Sequence, residues 1–181
     1  TLDRGPRTLV IAGANAGPVA EHVAHEGGWP LVAEVSSGAR FGRNLIPHYR
    51  AALADNELTE GIERTVVFGH PTLSRQVPAL IAGRPDIDTI VVRSGGEDVN
   101  PGHAVTTFTD EVTVEPGDTD RDWLGAWLRV GSAALADYEA GQAETAPALR
   151  APDIAAGRSA DAASKRTFAA AELAAVRTPL T

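Results

Sequence analysis

The stretch from Arg7 to Gly17, which reads RTLVIAGANAG, decides the fold class of this chain. Residues Arg7 to Ala12 are mostly β-branched or apolar without polar alternation, as in strands that are buried on both faces of a parallel sheet. Gly13 stops this run, and a short helix is predicted from Gly17 to Glu26, with Pro18 in its first turn. The stretch therefore predicts the strand–turn–helix unit of an α/β fold.

The alternation of strands and helices continues over most of the chain. Short apolar runs bounded by turn residues predict further strands at Pro30–Ala33, Arg64–Phe68, Thr89–Val92, Ala104–Thr107 and Glu111–Val114. Helical spacing of apolar residues predicts helices at Ile46–Ala54, at Thr72–Ala82 and from Asp120 to roughly Glu144. The hydroxyl of Thr72 is expected to cap the second of these helices, while Pro78 inside it predicts a kink or a late start. The pattern predicts an α/β fold with a doubly wound, mainly parallel sheet.

The composition changes in the C-terminal part of the chain. Gln142 to Ser164 is rich in alanine, glycine, proline and charged residues, which is typical of a linker. Thr167 to Arg177 predicts a last, Ala-rich helix that ends at Thr178-Pro179. We therefore expect an α/β domain over residues 1–140 and an Ala-rich linker and helix over residues 141–181.

The overall composition argues against several classes of function. The chain has 16 Lys and Arg against 24 Asp and Glu, a net charge of −8 that disfavours nonspecific binding of nucleic acid. Cysteine is absent, which excludes disulfides, thiolate metal sites and thiol catalysis. No apolar run is long enough to cross a bilayer and no signal sequence is visible, so we expect a cytoplasmic protein without a membrane partner. The absence of methionine, including an initiator, is expected of a part of a longer product and equally of a trimmed or engineered start.

The glycine turn at Gly13–Gly17 is the first candidate binding site. A glycine turn between a strand and a helix N-terminus is where dinucleotide folds hold a pyrophosphate, and Glu34 follows about 20 residues later, near the position of a ribose-binding acid. The spacing differs from G-x-G-x-x-G, however, and Pro18 lacks a donor N–H. The alternative is a tight structural turn, with Glu34 facing solvent or a neighbouring domain.

Other catalytic or metal-binding patterns are weak. His22 and His25 are three residues apart on a predicted helix, but no carboxylate follows at a matching position, so surface histidines are expected. The serines lie in no G-x-S-x-G turn. We therefore expect neither a metal site nor a hydrolase triad.

Several arginines are expected to converge at one edge of the sheet. Arg40, Arg43 and Arg50 lie in or just after the loop behind the second strand, and Arg75 lies at the start of the helix after the third. Loops that follow parallel strands share one edge of the sheet. Guanidinium groups there could hold a carboxylate ligand, or could instead pair with acidic residues or meet a further domain.

Two longer stretches resemble one enzyme family. Residues 29–53, WPLVAEVSSGARFGRNLIPHYRAAL, and residues 64–77, RTVVFGHPTLSRQV, are followed by a strand that ends in Arg93. They are similar to the middle domain of the 2-succinyl-5-enolpyruvyl-6-hydroxy-3-cyclohexene-1-carboxylate synthases, in their actinobacterial form. The segments P-L-x-A-E-x-S-S-G and G-x-P-T-L-x-R are the most distinctive. The opening R-T-L-V-I-A-G and the D-W-L-x-x-W of the long helix also fit, so the resemblance covers Arg7 to Leu135.

The resemblance implies the Rossmann-like central domain of a three-domain transferase that joins isochorismate to 2-oxoglutarate in menaquinone biosynthesis, as a homo-oligomer. In that family the first and third domains hold thiamine diphosphate and Mg²⁺, the third through a G-D-G…N motif. This motif does not occur in the chain. The resemblance therefore implies no cofactor in this chain, no catalytic residues, no activity of the chain alone, and the first and third domains of the same polypeptide as partners.

For some members the resemblance also implies allosteric regulation by 1,4-dihydroxy-2-naphthoate, in an arginine-lined cavity formed partly by the middle domain. On this basis Arg75, within G-H-P-T-L-S-R, is the first candidate ligand residue, followed by Arg43 and Arg50. A flat aromatic carboxylate suits the fork and plane of a guanidinium group. Two other functions remain open at this point, a free-standing nucleotide- or metabolite-binding module and a small Rossmann-type oxidoreductase.

Overall fold

The computed structural model describes residues 1–95 and 99–145 of the chain. The strands are β1 Thr8–Ala12, β2 Leu31–Ala33, β3 Arg64–Phe68, β4 Asp88–Val92 and β5 Thr107–Thr109. The α-helices of the described ranges are α1 Val19–Gly27, α2 Tyr49–Ala52, α3 Asn56–Glu60, α4 Gln76–Gly83 and α5 Arg121–Thr145. A short 3₁₀ helix covers Pro101–His103. Residues Thr1–Ala140 form one compact unit.

The five strands form a single parallel sheet in the order β2-β1-β3-β4-β5. The register places Val10 of β1 opposite Leu31 of β2 on one side and opposite Val66 of β3 on the other. The predicted α/β class with a doubly wound, parallel sheet is therefore confirmed. Because all strands run the same way, the segments that follow β1, β2 and β3 emerge at one edge of the sheet.

Alternate strand residues build two apolar cores, one on each face of the sheet. On one face Leu9, Ile11 and Val67 pack with Trp123 and Trp127 of α5. The opposite face carries a second set of buried side chains from the strands, from α1 and from Trp29, which includes Val10, Ala12, Val66, Phe68, Ala20 and Val23. The continuous apolar strands seen in the sequence are thus explained by burial on both faces.

Several predicted boundaries were wrong. The predicted helix Ile46–Ala54 is reduced to α2, since Pro47 precedes it and His48 has a left-handed φ of +48°. Helix α3, which the Asp55 carboxylate caps by accepting the N–H of Leu58 at 3.2 Å, was not predicted. The strand predicted at Ala104–Thr107 lies instead at β5.

The segment predicted as a strand at Glu111–Val114 pairs differently. Within the described residues, Val114 forms an isolated β-bridge with Leu2, near the N-terminus of the chain. The long predicted helix agrees with α5, which also includes the first residues of the predicted linker, Gln142–Thr145. The rest of that linker and the predicted helix Thr167–Arg177 lie outside the described residues, and the division at residues 1–140 and 141–181 stays a prediction.

A cluster of hydrogen bonds fixes the end of α4. Arg84 donates from Nη1 to the Thr59 carbonyl of α3 at 2.7 Å and from Nη2 to Asp86 Oδ2 at 2.7 Å. The hydrogen bonds from Arg84 hold the pKa of Asp86 below its ordinary value, and the bonds to Asp86 raise the pKa of Arg84. The contacts join α4 to α3 on one face of the sheet.

No helix within the described ranges is long and apolar enough to span a membrane.

Candidate functional site

Glu34, which directly follows β2, is the structural centre of the candidate site. Its side chain is fully buried. The carboxylate accepts three backbone N–H groups of the segment after β3, from Thr72 at 3.0 Å, Leu73 at 2.9 Å and Ser74 at 3.1 Å. Charge-assisted bonds of this kind are stronger than neutral ones. Glu34 therefore fixes the Thr72–Ser74 segment in place at the C-terminal edge of the sheet.

This arrangement corrects two expectations about Glu34 and Thr72. Glu34 does not face solvent, and its oxygens are taken up by the protein's own backbone rather than free for a ribose. Thr72 does not cap a helix, because its backbone N–H bonds to Glu34 and α4 begins later, at Gln76, with Arg75 at the N-cap position. The late start agrees with the effect predicted for Pro78, which lies in the first turn of α4.

The glycine turn after β1 is closed by internal hydrogen bonds. Each of its five backbone N–H groups donates within the protein: Gly13 to Phe68, Ala14 to His70, Asn15 to Ser36, Ala16 to Gly13 and Gly17 to Ser37. Gly13 also lies so close to the segment after β3 that a Cβ atom there would be 2.1 Å from the Pro71 nitrogen. The turn is therefore the tight structural turn that the sequence offered as one alternative, and its N–H groups are not available to a phosphate.

The structure brings Arg50 and Arg75 to the segment that Glu34 holds. Arg50 lies in α2 and donates from Nη2 to the carbonyl of Leu73 at 2.9 Å. Arg75 follows Ser74 directly and is exposed, and its guanidinium has no hydrogen-bond or ion-pair partner among residues 1–95 and 99–145. Arg75 thus directly follows this internally fixed segment, and Arg50 contacts the segment from α2.

Arg40 and two apolar side chains complete this part of the edge. Arg40 donates from Nη1 to the carbonyl of Ala33, the last residue of β2, at 2.9 Å. Val35 directly follows Glu34, and Leu73 donates its N–H to the Glu34 carboxylate. The two residues are 76% and 46% exposed. We call Arg40, Arg50, Arg75, Val35 and Leu73 the edge surface. The apolar members were not predicted from the sequence, since exposure of a loop residue has no periodic signal.

Ser74, which directly precedes Arg75 of the edge surface, carries a buried hydroxyl group. The residue is 2% exposed, and its hydroxyl has no hydrogen-bond partner among the described residues. Buried hydroxyl groups are normally satisfied, and an unsatisfied one costs free energy. The Ser74 hydroxyl is therefore a polar group at this edge whose hydrogen bonding the fold leaves incomplete.

Arg43 lies apart from Arg50 and Arg75, in a different groove. Its Nη2 is 3.3 Å from Nε2 of His25, near the end of α1. The neighbouring Asn44 explains this placement, since its side-chain amide donates to the carbonyls of Ala24 at 2.8 Å and Trp29 at 2.9 Å. Arg50 contacts the segment that leads to Arg75, whereas Arg43 lies in a separate groove beside His25.

His22 and His25, the two histidines that share a predicted helix, contact other side chains of the protein. His22 Nε2 lies 3.4 Å from the Glu26 carboxylate, and His25 contacts Arg43. Within the part of the chain that the structure describes, no group of three His, Asp or Glu side chains is arranged to hold a metal ion.

Comparison with known proteins gives a consistent set of relatives. No protein-family model matches the chain. It is 47% identical over 182 residues to a 2-succinyl-5-enolpyruvyl-6-hydroxy-3-cyclohexene-1-carboxylate synthase of Leifsonia xyli, with 98% of this chain and 30% of that protein covered. Proteins with the same name from Clavibacter michiganensis and from a Nocardioides species are 48% and 42% identical, covering 99% and 77% of this chain and 30% and 27% of their own lengths.

The chain therefore spans about 30% of the length of the Leifsonia xyli and Clavibacter michiganensis proteins. The matches to these two relatives extend over nearly all of its residues, including the edge surface and the glycine turn. The chain is therefore a homologue of one domain of the actinobacterial 2-succinyl-5-enolpyruvyl-6-hydroxy-3-cyclohexene-1-carboxylate synthases.

Proposed function

We propose that this chain is the central, non-catalytic domain of a synthase that joins isochorismate to 2-oxoglutarate in menaquinone biosynthesis. We propose further that its edge surface forms part of a regulatory site for an aromatic carboxylate such as 1,4-dihydroxy-2-naphthoate. The names of the relatives and the share of their length that the chain covers support the first part. The arrangement of Arg50 and Arg75 supports the second. The expected partners are the other two domains, in a cytoplasmic homo-oligomer.

The observation that carries the regulatory proposal is the Thr72–Arg75 segment. Arg75 has no internal partner in the described part of the chain, and Arg50 uses one Nη2–H on the Leu73 carbonyl, which leaves other donors of its guanidinium for a ligand. A carboxylate between two such groups gains charge-assisted hydrogen bonds. The exposed Leu73 side chain lies on the same segment and offers an apolar contact for an aromatic ring.

The buried Glu34 contributes by holding this segment before any ligand arrives. Three backbone hydrogen bonds to one buried carboxylate remove most of the freedom of Thr72, Leu73 and Ser74. A binding segment that is already ordered loses less conformational entropy when the ligand binds. Glu34 is thus proposed as a positioning residue, and it does not contact the ligand.

In the family that the chain resembles, the cofactor diphosphate is held through a G-D-G…N motif, which does not occur in this chain. The backbone N–H groups of the glycine turn are all engaged as well. We therefore assign the cofactor and the carbon–carbon bond formation to the other domains, and derive no catalytic step from this one.

The same contacts disfavour the two nucleotide-based alternatives. A dinucleotide would need the N–H groups of Gly13–Gly17 for its pyrophosphate and an acid such as Glu34 for its ribose. Both are occupied by internal hydrogen bonds. A nicotinamide-dependent oxidoreductase and a nucleotide-sensing module therefore gain no support from the geometry.

Replacing Arg75 by glutamine should weaken binding of 1,4-dihydroxy-2-naphthoate to the chain. Loss of one charge-assisted hydrogen bond costs roughly 1.5–3 kcal/mol, which corresponds to about ten- to hundredfold weaker affinity. Isothermal titration calorimetry of the wild-type chain and of Arg75→Gln measures this difference. The matched control is Arg43→Gln, which removes an exposed guanidinium from the separate groove beside His25 and should leave the affinity unchanged.

Equal naphthoate affinity of wild type and Arg75→Gln would remove Arg75 from the site. Thermal unfolding of the same variants gives a second criterion. Because Arg75 has no partner in the described ranges, its loss should leave the melting temperature nearly unchanged. A large drop would instead show that Arg75 supports the fold.

A further inference from the structure

The groove that contains Arg43 and His25 lies away from the edge surface and is lined by cationic side chains. Arg4, Arg43, Arg121 and His25 surround it, and its volume is about 710 Å³. Leu124 and Leu128 of α5 form an apolar part of its lining, and Gly28 and Gly125 contribute no side chain to it. We call this the cationic groove.

The charges of the cationic groove are not balanced within the described part of the chain. Arg4 donates to the backbone carbonyls of Glu115 and Gly117, each at 2.8 Å, and so keeps its full charge without a carboxylate partner. Arg43 Nη2 lies 3.3 Å from Nε2 of His25, and Arg43 has no carboxylate within ion-pair distance among the described residues. Arg121 has no ion-pair or hydrogen-bond partner from its side chain in residues 1–95 and 99–145.

One acidic residue, Glu26, also lines the groove. Glu26 lies 3.4 Å from the ring of His22. Four other arginines of the described ranges pair with carboxylates: Arg7 with Asp120, Arg64 with Asp3, Arg84 with Asp86, and Arg93 with Asp110. Three guanidinium groups against one lining carboxylate give this groove a local excess of positive charge in a chain of net charge −8.

The position of Arg121 adds to this contrast. It is the first residue of α5, a helix of 25 residues. The N-terminal end of a helix carries partial positive charge and favours acidic over basic side chains. A cation at this position is electrostatically unfavourable for the helix, and an anion bound beside it would reverse that cost.

We infer that the cationic groove binds a small molecule that carries two or more phosphate or carboxylate groups. Its volume lies in the range of roughly 300–1,000 Å³ that small-molecule sites occupy. Guanidinium forks match the paired oxygens of both groups, and the side chains of Leu124 and Leu128 can contact a compact organic body. The inference is independent of the proposed regulatory function, since Arg50, Arg75 and Glu34 do not line this groove.

Titration of the chain with pyrophosphate and with citrate tests the inference. Both are small polyvalent anions, and the tighter of the two shows whether the natural ligand is of the phosphate or the carboxylate class. Replacing Arg121 by glutamine should weaken binding of the tighter probe about ten- to hundredfold, the effect of one charge-assisted hydrogen bond. The melting temperature without ligand should stay the same or rise slightly, because a cation leaves the N-terminus of α5.

Arg129→Gln is the matched control, since Arg129 lies on the same helix but lines a different groove. It changes the net charge equally and should leave the affinity for the probe unchanged. Because the Arg129 guanidinium lies close to Gly125, Arg93→Gln, in another groove, is a second control. Equal weakening by Arg121→Gln and Arg93→Gln would reduce the effect to overall charge and overturn the inference, as would failure of the wild-type chain to bind either probe. Naphthoate titration of Arg121→Gln separates the two proposals, because loss of the cationic groove leaves the edge surface intact.

Discussion

Replacing Glu34 by glutamine is expected to lower the free energy of unfolding by about 1–3 kcal/mol, although the two side chains have nearly the same size. The buried carboxylate accepts three backbone N–H groups, Leu73 and Ser74 on one oxygen and Thr72 on the other. An amide offers one acceptor oxygen, and its NH₂ group would face N–H donors. At least one of these N–H groups then lacks its acceptor, which costs roughly 1–3 kcal/mol. Urea unfolding at neutral pH measures the difference.

The control for Glu34→Gln is Glu139→Gln, the same substitution at an exposed residue of α5, which should change the stability very little. We also expect Glu34→Gln to weaken naphthoate binding, because Thr72–Ser74 loses its anchor while Arg75 itself is unchanged. A Glu34→Gln chain that unfolds at the wild-type urea concentration would contradict the assignment of Glu34 as the residue that fixes this segment.

Replacing Gly13 by alanine is the second change with a large expected effect. A Cβ atom at position 13 would lie 2.1 Å from the Pro71 nitrogen and 2.2 Å from the His70 carbonyl carbon. These are backbone atoms, so the segments after β1 and β3 must separate, which breaks the paired hydrogen bonds between Ala14 and His70. Overpacking of this kind costs typically 1–3 kcal/mol, and loss of the two hydrogen bonds brings the expected destabilisation to about 3 kcal/mol or more.

Gly83→Ala provides a matched control of the opposite sign. Gly83 ends α4, and nothing lies within 4 Å of the position that its Cβ would occupy. Alanine is a better helix former than glycine, so this variant should be as stable as wild type or slightly more stable. Thermal unfolding of both variants compares them directly. If Gly13→Ala had the same melting temperature as Gly83→Ala, the close approach of the segments after β1 and β3 would not be a requirement of the fold.

The sheet and the long helix could be predicted because their signals are local and strong. The apolar runs of β1, β3 and β4 and the spacing of Trp123 and Trp127 in α5 leave little choice of structure. The helix around Tyr49 could not be placed correctly, since its apolar spacing continues through Pro47 and His48, and the left-handed backbone of His48 leaves no periodic signal in the sequence. The segment that follows β5 was assigned to a strand on propensity alone, which does not show whether a neighbouring strand is available to pair.

The candidate site was predictable only in its outline. Parallel topology alone indicates that residues after β2 and β3 share an edge, and this places Arg50 and Arg75 together. No sequence pattern shows that the Glu34 side chain points inward. The three N–H groups that it accepts lie 38 to 40 residues further along the chain. The displacement of Arg43 has the same origin, because it depends on the long-range hydrogen bonds of Asn44.

The most direct test of the regulatory proposal is a nitrogen–proton NMR titration of the labelled chain with 1,4-dihydroxy-2-naphthoate. The backbone amide signals of Thr72, Leu73, Ser74 and Arg75 should shift in a saturable way, because their N–H groups lie beneath the proposed ligand. The amide signals of Arg43 and Asn44, in the separate groove, should stay in place. Shifts centred on Arg43 or on the Gly13–Gly17 turn, or the absence of saturable shifts at Thr72–Arg75, would contradict the account.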